Sequence, residues 1–268
     1  MMRKDMMIKN RDGVNLSYKI AGEGALKFIL IHNAGGNHQF MNDQLEYLSH
    51  MAQVLSVDLR GHGESDKPEQ SYTVENFAED IIYLCQAHDI KKAVVIGLNY
   101  GANVAIELAN ISTLVSHLVL IDPPILMESW VTQLVQEHID DLNKPTLEKF
   151  AETLVEAVFF NTNQNNKQVA IAAFETTAKA ALASTYDNLL KWDKESIKKL
   201  EYCTMPILYI QSSEPFCTEE ALRKHCPHLM TGKVVGSGHW ATLETPDQVN
   251  SMVKRFLEVT PIENKTGT

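Results

Sequence analysis

The chain has 268 residues, of which 44% are hydrophobic and 22% are charged. That composition excludes intrinsic disorder, collagen and a disulfide-stapled miniprotein. With 24 basic and 34 acidic residues the formal net charge is −10, which disfavours nucleic acid and anionic membrane surfaces as partners.

The predicted elements begin with a β-hairpin over residues of about 5–21, because Asp12-Gly13 separates two segments of alternating polarity. Three short continuous apolar runs and two close variants of them follow along the chain, and such hydrophobicity is typical of strands buried on both faces of a parallel sheet. These runs are Phe28–Ile31, Val54–Val57, Ala93–Ile96, Leu118–Ile121 and Ile207–Ile210.

Helical patterns lie between these runs. The segment after Thr73 repeats apolar residues at helix spacing, and Thr73 itself is a predicted N-cap. A second apolar stripe follows the Ala93–Ile96 run, and Thr245-Pro246 predicts the start of a final helix. Strands that alternate with helices predict an α/β fold with a largely parallel sheet.

The alternation stops between residues 125 and 200, where the sequence is rich in Ala, Leu, Glu and Lys and contains no clear strand. A stretch of that length cannot be a structureless loop in a compact protein. We therefore predict a helical insert over residues 125–200, with residues 1–124 and 201–268 forming the core.

The most informative string is Gly97-Leu98-Asn99-Tyr100-Gly101, which joins a predicted strand to a predicted helix. Glycines two residues before and two after the centre leave room for a strained turn that projects the central side chain above the edge of the sheet. With serine at its centre the string would be the G-x-S-x-G nucleophile elbow. Here the centre is Asn99.

Three further strings surround this turn in the predicted order of elements. They are His32-Asn33-Ala34-Gly35-Gly36, Asp58-Leu59-Arg60-Gly61-His62-Gly63-Glu64-Ser65 and Gly236-Ser237-Gly238-His239-Trp240. Together the four strings resemble the α/β-hydrolase superfamily over about residues 5–258, and most of all its small esterases, enol-lactonases and C–C bond hydrolases. The resemblance implies a mostly parallel eight-stranded sheet flanked by helices, a helical lid inserted after the sixth strand, and a nucleophile, acid and histidine in that order.

The resemblance places Asn99 at the nucleophile position and His239 at the general base. A histidine suits that role because its unperturbed pKa of about 6.5 lets it accept and return a proton near neutrality. Two carboxylates compete for the acid position: Glu214 in the loop after the seventh predicted strand, and Asp122 after the sixth. We prefer Glu214, because the family usually places its acid beyond the seventh strand.

The oxyanion hole implied by the resemblance consists of backbone N–H groups from Asn33 or Ala34 and from Tyr100, the residue after the nucleophile position. His32 and His62 match recurring histidines that shape loops rather than perform chemistry.

Asn99 itself leaves three hypotheses open, because a carboxamide is neither a useful nucleophile nor a proton donor to histidine. The first is a serine hydrolase whose nucleophile has been replaced, so that the chain as written is inactive or strongly impaired. The second is a non-hydrolytic member that binds a small ligand or uses His239 alone as a base. The third is an aspartate-nucleophile epoxide hydrolase or dehalogenase in which asparagine stands for the nearly isosteric aspartate.

The expected substrate is a small, mostly uncharged ester, lactone or thioester. The predicted insert should line an apolar pocket with Met127, Trp130 and Phe159, and Trp240 should add a wall from outside the insert. No glycine-rich phosphate loop opens a helix, so we expect no nucleotide cofactor, and the cysteines lack zinc-ligand spacing, so we expect no metal.

The expected location is the cytoplasm. No apolar run approaches the roughly 18 residues of a membrane span, no apolar segment follows the basic residues near the start as in a secretory signal, and the four cysteines are far apart.

Overall fold

In the computed structural model, residues 4–144, 150–159 and 163–262 are described. Eight strands form one sheet in the order β1-β2-β4-β3-β5-β6-β7-β8, in which β1 and β2 pair antiparallel and β3 to β8 run parallel. The strands are β1 Lys4–Lys9, β2 Asn15–Ala21, β3 Lys27–Ile31, β4 Gln53–Val57, β5 Ala93–Leu98, β6 Val115–Ile121, β7 Ile207–Gln211 and β8 Met230–Lys233.

Helices flank this sheet, and eleven α-helices are present in the described part of the chain. They are α1 Asn42–Ser49, α2 Val74–Ala87, α3 Tyr100–Ile111, α4 Ser129–Leu142, α5 Phe150–Val158, α6 Gln164–Thr176, α7 Lys179–Asp193, α8 Ser196–Glu201, α9 Glu219–His225, α10 Ala241–Glu244 and α11 Pro246–Val259. A short 3₁₀ turn, His38–Met41, precedes α1.

The hydrophobic pattern explains why the centre of the sheet forms as predicted. All six residues of β5 are buried, and the neighbouring strands β3 and β6 are buried along nearly their whole length. Burying one such aliphatic side chain stabilises the fold by roughly 1.5–3 kcal/mol. The five predicted strands and the N-terminal hairpin are therefore confirmed, and Gly13 takes a φ of 83° in the hairpin turn.

Two predicted helix starts are also present. The Thr73 side chain accepts a hydrogen bond from the Asn76 backbone N–H, and the Asn76 side chain bonds back to Thr73, so α2 opens with a capping box. The last helix, α11, begins at Pro246 as predicted, although the Thr245 side chain bonds to the Ala241 carbonyl instead of capping it.

Between β6 and β7 the described chain contains only helices, α4 to α8. Helix α4 packs on α7, α5 packs on α6, and α6 contacts the 3₁₀ turn beside the end of β3. That these helices act as a lid, and that residues 125–200 form a separate unit, stay predictions.

Candidate active site

Asn99 lies on a sharp turn between β5 and α3, at the edge of the sheet where the parallel strands end. Its backbone has φ 49° and ψ −119°, in a region that non-glycine residues rarely adopt. Two backbone hydrogen bonds hold the turn: the Asn99 N–H donates to the Ile121 carbonyl at 2.7 Å, and the Asn99 carbonyl accepts from the Ala102 N–H at 2.8 Å. The asparagine side chain therefore projects from a fixed and strained backbone.

Both predicted elbow glycines are required by the packing around this turn. A Cβ at Gly97 would lie 2.3 Å from the Gly101 carbonyl oxygen. A Cβ at Gly101 would lie 2.3 Å from the Ile31 carbonyl oxygen and 2.5 Å from that of His32. Because these obstacles are backbone atoms, only glycine lets α3 approach the end of β3 so closely.

His239 pairs with Asp122 at the same edge of the sheet. The His239 Nδ1 lies 2.5 Å from Asp122 Oδ2, and the other carboxylate oxygen, Oδ1, accepts the Phe216 backbone N–H at 3.1 Å. The Asp122 side chain is fully buried, whereas that of His239 is 16% exposed. Since a carboxylate only accepts hydrogen bonds, Nδ1 carries the hydrogen and the lone pair is on Nε2.

Two further contacts fix the imidazole of His239. The ring of Phe216 stacks on it with the centroids 3.8 Å apart and the planes 8° from parallel. The His239 backbone N–H donates to the Val158 carbonyl at 3.1 Å, which ties this loop to the end of α5. The ring is thus held on one face and at Nδ1, and within the described chain its Nε2 has no hydrogen-bond partner.

Asn99 and His239 are brought together through Asp122. The Asn99 Nδ2 donates to the Asp122 backbone carbonyl at 3.3 Å, while the Asp122 carboxylate bonds to His239. Asp122 follows β6 directly, and β6 is the sheet neighbour of β5, which carries Asn99. The topology therefore assembles residues from three distant parts of the sequence at one point.

This geometry corrects the preference for Glu214 over Asp122 as the partner of His239. Glu214, the carboxylate preferred above, is exposed, and His239 contacts the alternative, Asp122. The loop after β7 is held by a hydrogen bond from the Ser213 N–H to the Ser237 carbonyl. This loop turns the Phe216 N–H toward Asp122, so it supports the acid after β6 instead of supplying one.

The predicted oxyanion loop, residues 32–36, follows β3 and faces the elbow. The Asn33 carbonyl accepts from the His32 ring at 2.7 Å and from the Gly36 N–H at 3.0 Å, and the Asn33 side chain donates to the Ala34 carbonyl at 3.0 Å. Tyr100 is the first residue of α3, so its N–H has no acceptor in a preceding helical turn. The arrangement can present backbone N–H groups to a developing oxyanion.

His32 and His62 lie behind this loop, with their ring centroids 5.3 Å apart. Burial lowers the pKa of His32 to about 4 and that of His62 to about 3, so both are neutral near pH 7. The Nδ1 of His32 contacts the Asn33 carbonyl and its Nε2 accepts the Leu59 N–H, which joins two strand-end loops. Their geometry is that of residues that shape loops.

Aromatic rings form the wall beside His239. The Trp240 ring lies 5.1 Å from that of Phe159, 5.2 Å from Phe40 and 5.9 Å from Phe174, measured between centroids. Trp240 and Phe159, both predicted above, are thus neighbours and buried. Sequence reasoning missed Phe40 and Phe174, which bring the 3₁₀ turn His38–Met41 and helix α6 into the same cluster.

The other two predicted pocket residues are placed differently. Met127 is partly buried against the core, and its backbone N–H donates to Asp193 at 3.1 Å. Trp130, on the first turn of α4, is 52% exposed. Its exposure does not support the prediction that it forms a pocket wall.

Other parts of the described chain lie away from this site. A groove of about 1410 Å³ lies at the opposite edge of the sheet, where the parallel strands begin. Lys27, Ala93 and His117 are among the residues that line this groove. Among the described residues, no group of three or more His, Cys, Asp or Glu side chains could hold a metal ion, and no helix is long and apolar enough to cross a membrane.

Comparison with known proteins extends these observations. A family model described as the alpha/beta hydrolase fold matches residues 28–246. Among curated proteins, the chain is 35% identical to 3-oxoadipate enol-lactonase 1 of Acinetobacter baylyi over 104 residues, which is 38% of this chain and 39% of the enol-lactonase.

Solved structures resemble the whole fold. An esterase from Exiguobacterium antarcticum superposes with a TM-score of 0.85 at 18% identity, covering 95% of this chain and 100% of the esterase. The enol-lactonase from Burkholderia xenovorans superposes with a TM-score of 0.83 at 20% identity, covering 94% of this chain and 100% of the lactonase. At such identities these likenesses concern the fold.

Proposed function

The chain belongs to the α/β-hydrolase fold family, and on that premise we propose that its site is built to hydrolyse a small, mostly uncharged ester, lactone or thioester through an acyl-enzyme. In the chain as written Asn99 occupies the nucleophile position, so this reaction is strongly impaired. The esterase and enol-lactonase relatives support a hydrolase of this kind.

The observation that carries the proposal is the pair formed by His239 and Asp122 beside the elbow. A buried carboxylate at 2.5 Å from Nδ1 orients the imidazole and stabilises the imidazolium that forms when Nε2 takes a proton. The Nε2 of this imidazole has no hydrogen-bond partner among the described residues, and the His239 side chain is 16% exposed. The pair is therefore positioned to act as a general base.

With serine at position 99 the reaction would proceed in two steps. His239 would accept the serine proton while the oxygen attacks the substrate carbonyl, and the N–H groups of Ala34 and Tyr100 would bind the oxyanion. His239 would then protonate the leaving group, and water activated by the same base would release the acid. Asn99 cannot start this sequence, because its nitrogen lone pair is delocalised into the carbonyl and it has no hydroxyl group whose proton His239 could remove.

The aromatic cluster around Trp240, the residue after His239, supports the substrate class. Trp240, Phe159, Phe40 and Phe174 are apolar and buried, and the Trp240 ring contacts the other three. An uncharged acyl group gains from contact with these rings, whereas a charged one would lose hydration without a partner.

The experiment is to assay the native chain, Asn99→Ser and Asn99→Ala against a panel of short p-nitrophenyl esters, thioesters and lactones. Asn99→Ser should hydrolyse at least one class far faster than the native chain, and Asn99→Ala should not. No turnover by a folded Asn99→Ser would contradict the proposal, and would favour the non-hydrolytic, ligand-binding alternative.

One observation favours a second candidate. The Asn99 carboxamide is nearly isosteric with a carboxylate and lies beside the His239 and Asp122 pair, as the nucleophile of an epoxide hydrolase or dehalogenase would. If that is the native chemistry, Asn99→Asp should open an epoxide or release halide from a haloalkane, and Asn99→Ser should not hydrolyse esters.

A further inference from the structure

The groove at the edge of the sheet opposite the candidate active site lies where the parallel strands β3, β5, β6 and β7 begin. Its volume of about 1410 Å³ is large enough for a small organic ligand, since such sites usually occupy about 300–1,000 Å³. The described residues that line it include two lysines, Lys27 and Lys92, and no aspartate or glutamate. In a chain with 34 acidic and 24 basic residues, the groove therefore has the charge sign opposite to that of the whole protein.

The two lysines are held at the starts of neighbouring strands. Strands β3 and β5 pair in parallel, and adjacent strands are about 4.8 Å apart. The Lys27 Nζ donates to the Gly24 carbonyl at 2.8 Å and to Gln53 Oε1 at 2.9 Å, which leaves one of its three ammonium hydrogens unused. Lys92 is exposed and has no hydrogen-bond or ion-pair partner within the described ranges of the chain. An anion that accepts from both ammonium groups would offset the repulsion between these like charges.

The other end of the groove is apolar. Residues before β7 and at the end of α11 contribute half-buried aliphatic side chains, namely Met205, Leu257 and Ile262. The strand order β3-β5-β6-β7 separates β7 from β5 by two strand spacings, or about 10 Å. An alkyl chain that covers these side chains is stabilised because apolar surface leaves water. The groove thus has a cationic end at β3 and β5 and an apolar end at β7 and α11.

From this arrangement we propose that the groove is a binding site for an amphipathic carboxylate, a molecule with one anionic head and a medium-length alkyl chain. The carboxylate accepts hydrogen bonds from the Nζ atoms of Lys27 and Lys92, and the chain lies across the starts of β6 and β7. A short carboxylate can use only the cationic end, and an uncharged alcohol only the apolar end. Because Asn99 and His239 lie at the opposite edge of the sheet, the inference does not depend on the proposed hydrolysis.

Isothermal titration calorimetry of the native full-length chain with octanoate, acetate and 1-octanol tests the proposal. Octanoate should bind saturably with a Kd below about 1 mM. Acetate and 1-octanol should each bind at least about tenfold more weakly, because each lacks one of the two groups that the groove contacts. Octanoate binding should also weaken when the salt concentration rises from about 0.05 M to about 0.5 M, since salt screens charges that face solvent.

Lys92→Glu locates the site, and Lys91→Glu is its matched control. Lys91 is also exposed, pairs with Asp89 at 2.6 Å and does not line the groove. Lys92→Glu should weaken octanoate binding by about tenfold, because it replaces an exposed ion pair by a repulsion of similar size. Lys91→Glu changes the net charge by the same amount and should leave the affinity unchanged. A photoreactive diazirine analogue of octanoate, followed by peptide mapping, should label residues 204–206 or 257–262.

Four results would overturn the inference. The first is no saturable octanoate binding at up to about 1 mM. The second is equal affinity in Lys92→Glu and Lys91→Glu, with unchanged urea midpoints showing that both are folded. The third is 1-octanol that binds as tightly as octanoate, because the lysines would then play no part. The fourth is photolabelling beside Trp240, which would assign the ligand to the aromatic cluster at the candidate active site.

Discussion

Replacing Asp122 by asparagine, in a chain that already carries Asn99→Ser, should abolish most ester hydrolysis while preserving the shape of the site. Asp122 Oδ1 accepts the Phe216 N–H at 3.1 Å, and Oδ2 faces His239 Nδ1 at 2.5 Å. An NH₂ group cannot face the Phe216 N–H, so the asparagine must turn its oxygen there and its NH₂ toward His239. Nδ1 then has to accept, the ring hydrogen moves to Nε2, and the base is lost.

The magnitude follows from that tautomer change. The equivalent substitution in serine proteases lowers kcat by about 10⁴, or about 5 kcal/mol of transition-state stabilisation. We expect a loss of that order in kcat for a p-nitrophenyl ester and little change in KM, because none of the aromatic wall has been touched. Steady-state kinetics on the best ester of the panel measures both quantities.

Glu214→Gln in the same background is the control. Glu214 is exposed and does not contact His239, so its neutral isostere should leave kcat unchanged. The reasoning would be refuted if Asp122→Asn kept its activity, or if Glu214→Gln lost as much as we expect for Asp122.

Gly101→Ala should destabilise the fold by about 2 kcal/mol or more in urea unfolding, because its methyl group would meet the backbone oxygens of Ile31 and His32. Trp240→Ala should cost about 3–5 kcal/mol, since it empties the centre of a buried aromatic cluster, and it should raise KM for esters in the Asn99→Ser background. Lowering the pH from about 7 to about 5 should destabilise the chain by roughly 2 kcal/mol for each of His32 and His62, as followed by urea midpoints. In the folded state their pKa values of about 4 and about 3 lie below the unfolded value of about 6.5. As the pH falls, the unfolded state therefore binds protons that the folded state does not bind.

Each of these three predictions has its own control. Gly236→Ala meets no atom within 4 Å, so it should show only the cost of its positive φ, about 1 kcal/mol. Equal losses for Gly236 and Gly101 would contradict the close approach of α3. Trp240→Phe should recover part of the stability. An acid sensitivity that stays unchanged after His62→Gln would remove that histidine from the explanation.

The centre of the sheet could be predicted from the sequence, because strands buried on both faces read as continuous apolar runs. Strand β8, Met230–Lys233, gives no such signal: it is short, lies at the sheet edge, and contains only exposed and half-buried residues. The helical content between β6 and β7 was indicated by composition, but which helices contact the site depends on packing across α5, α6 and the end of β3.

The candidate site was predictable where a motif fixes local backbone and not where distant loops meet. The glycines on either side of Asn99 predicted its place on the turn. The string Gly236-Ser237-Gly238-His239-Trp240 predicted the place of His239. Its acid partner depends on which strand end lies beside it, and the motif-based preference for Glu214 was wrong for that reason. Phe216 has no motif, yet it supplies both the ring stacked on His239 and the N–H that binds Asp122.

A fluorophosphonate probe tests most directly whether residue 99 and His239 act on one another. The probe forms a covalent bond with a serine only when a base removes its proton, and intact-mass measurement with peptide mapping locates the adduct. Asn99→Ser should be labelled at position 99, whereas the native chain and Asn99→Ser combined with His239→Gln should not. A folded Asn99→Ser that stays unlabelled, or that is labelled equally without His239, would contradict the account.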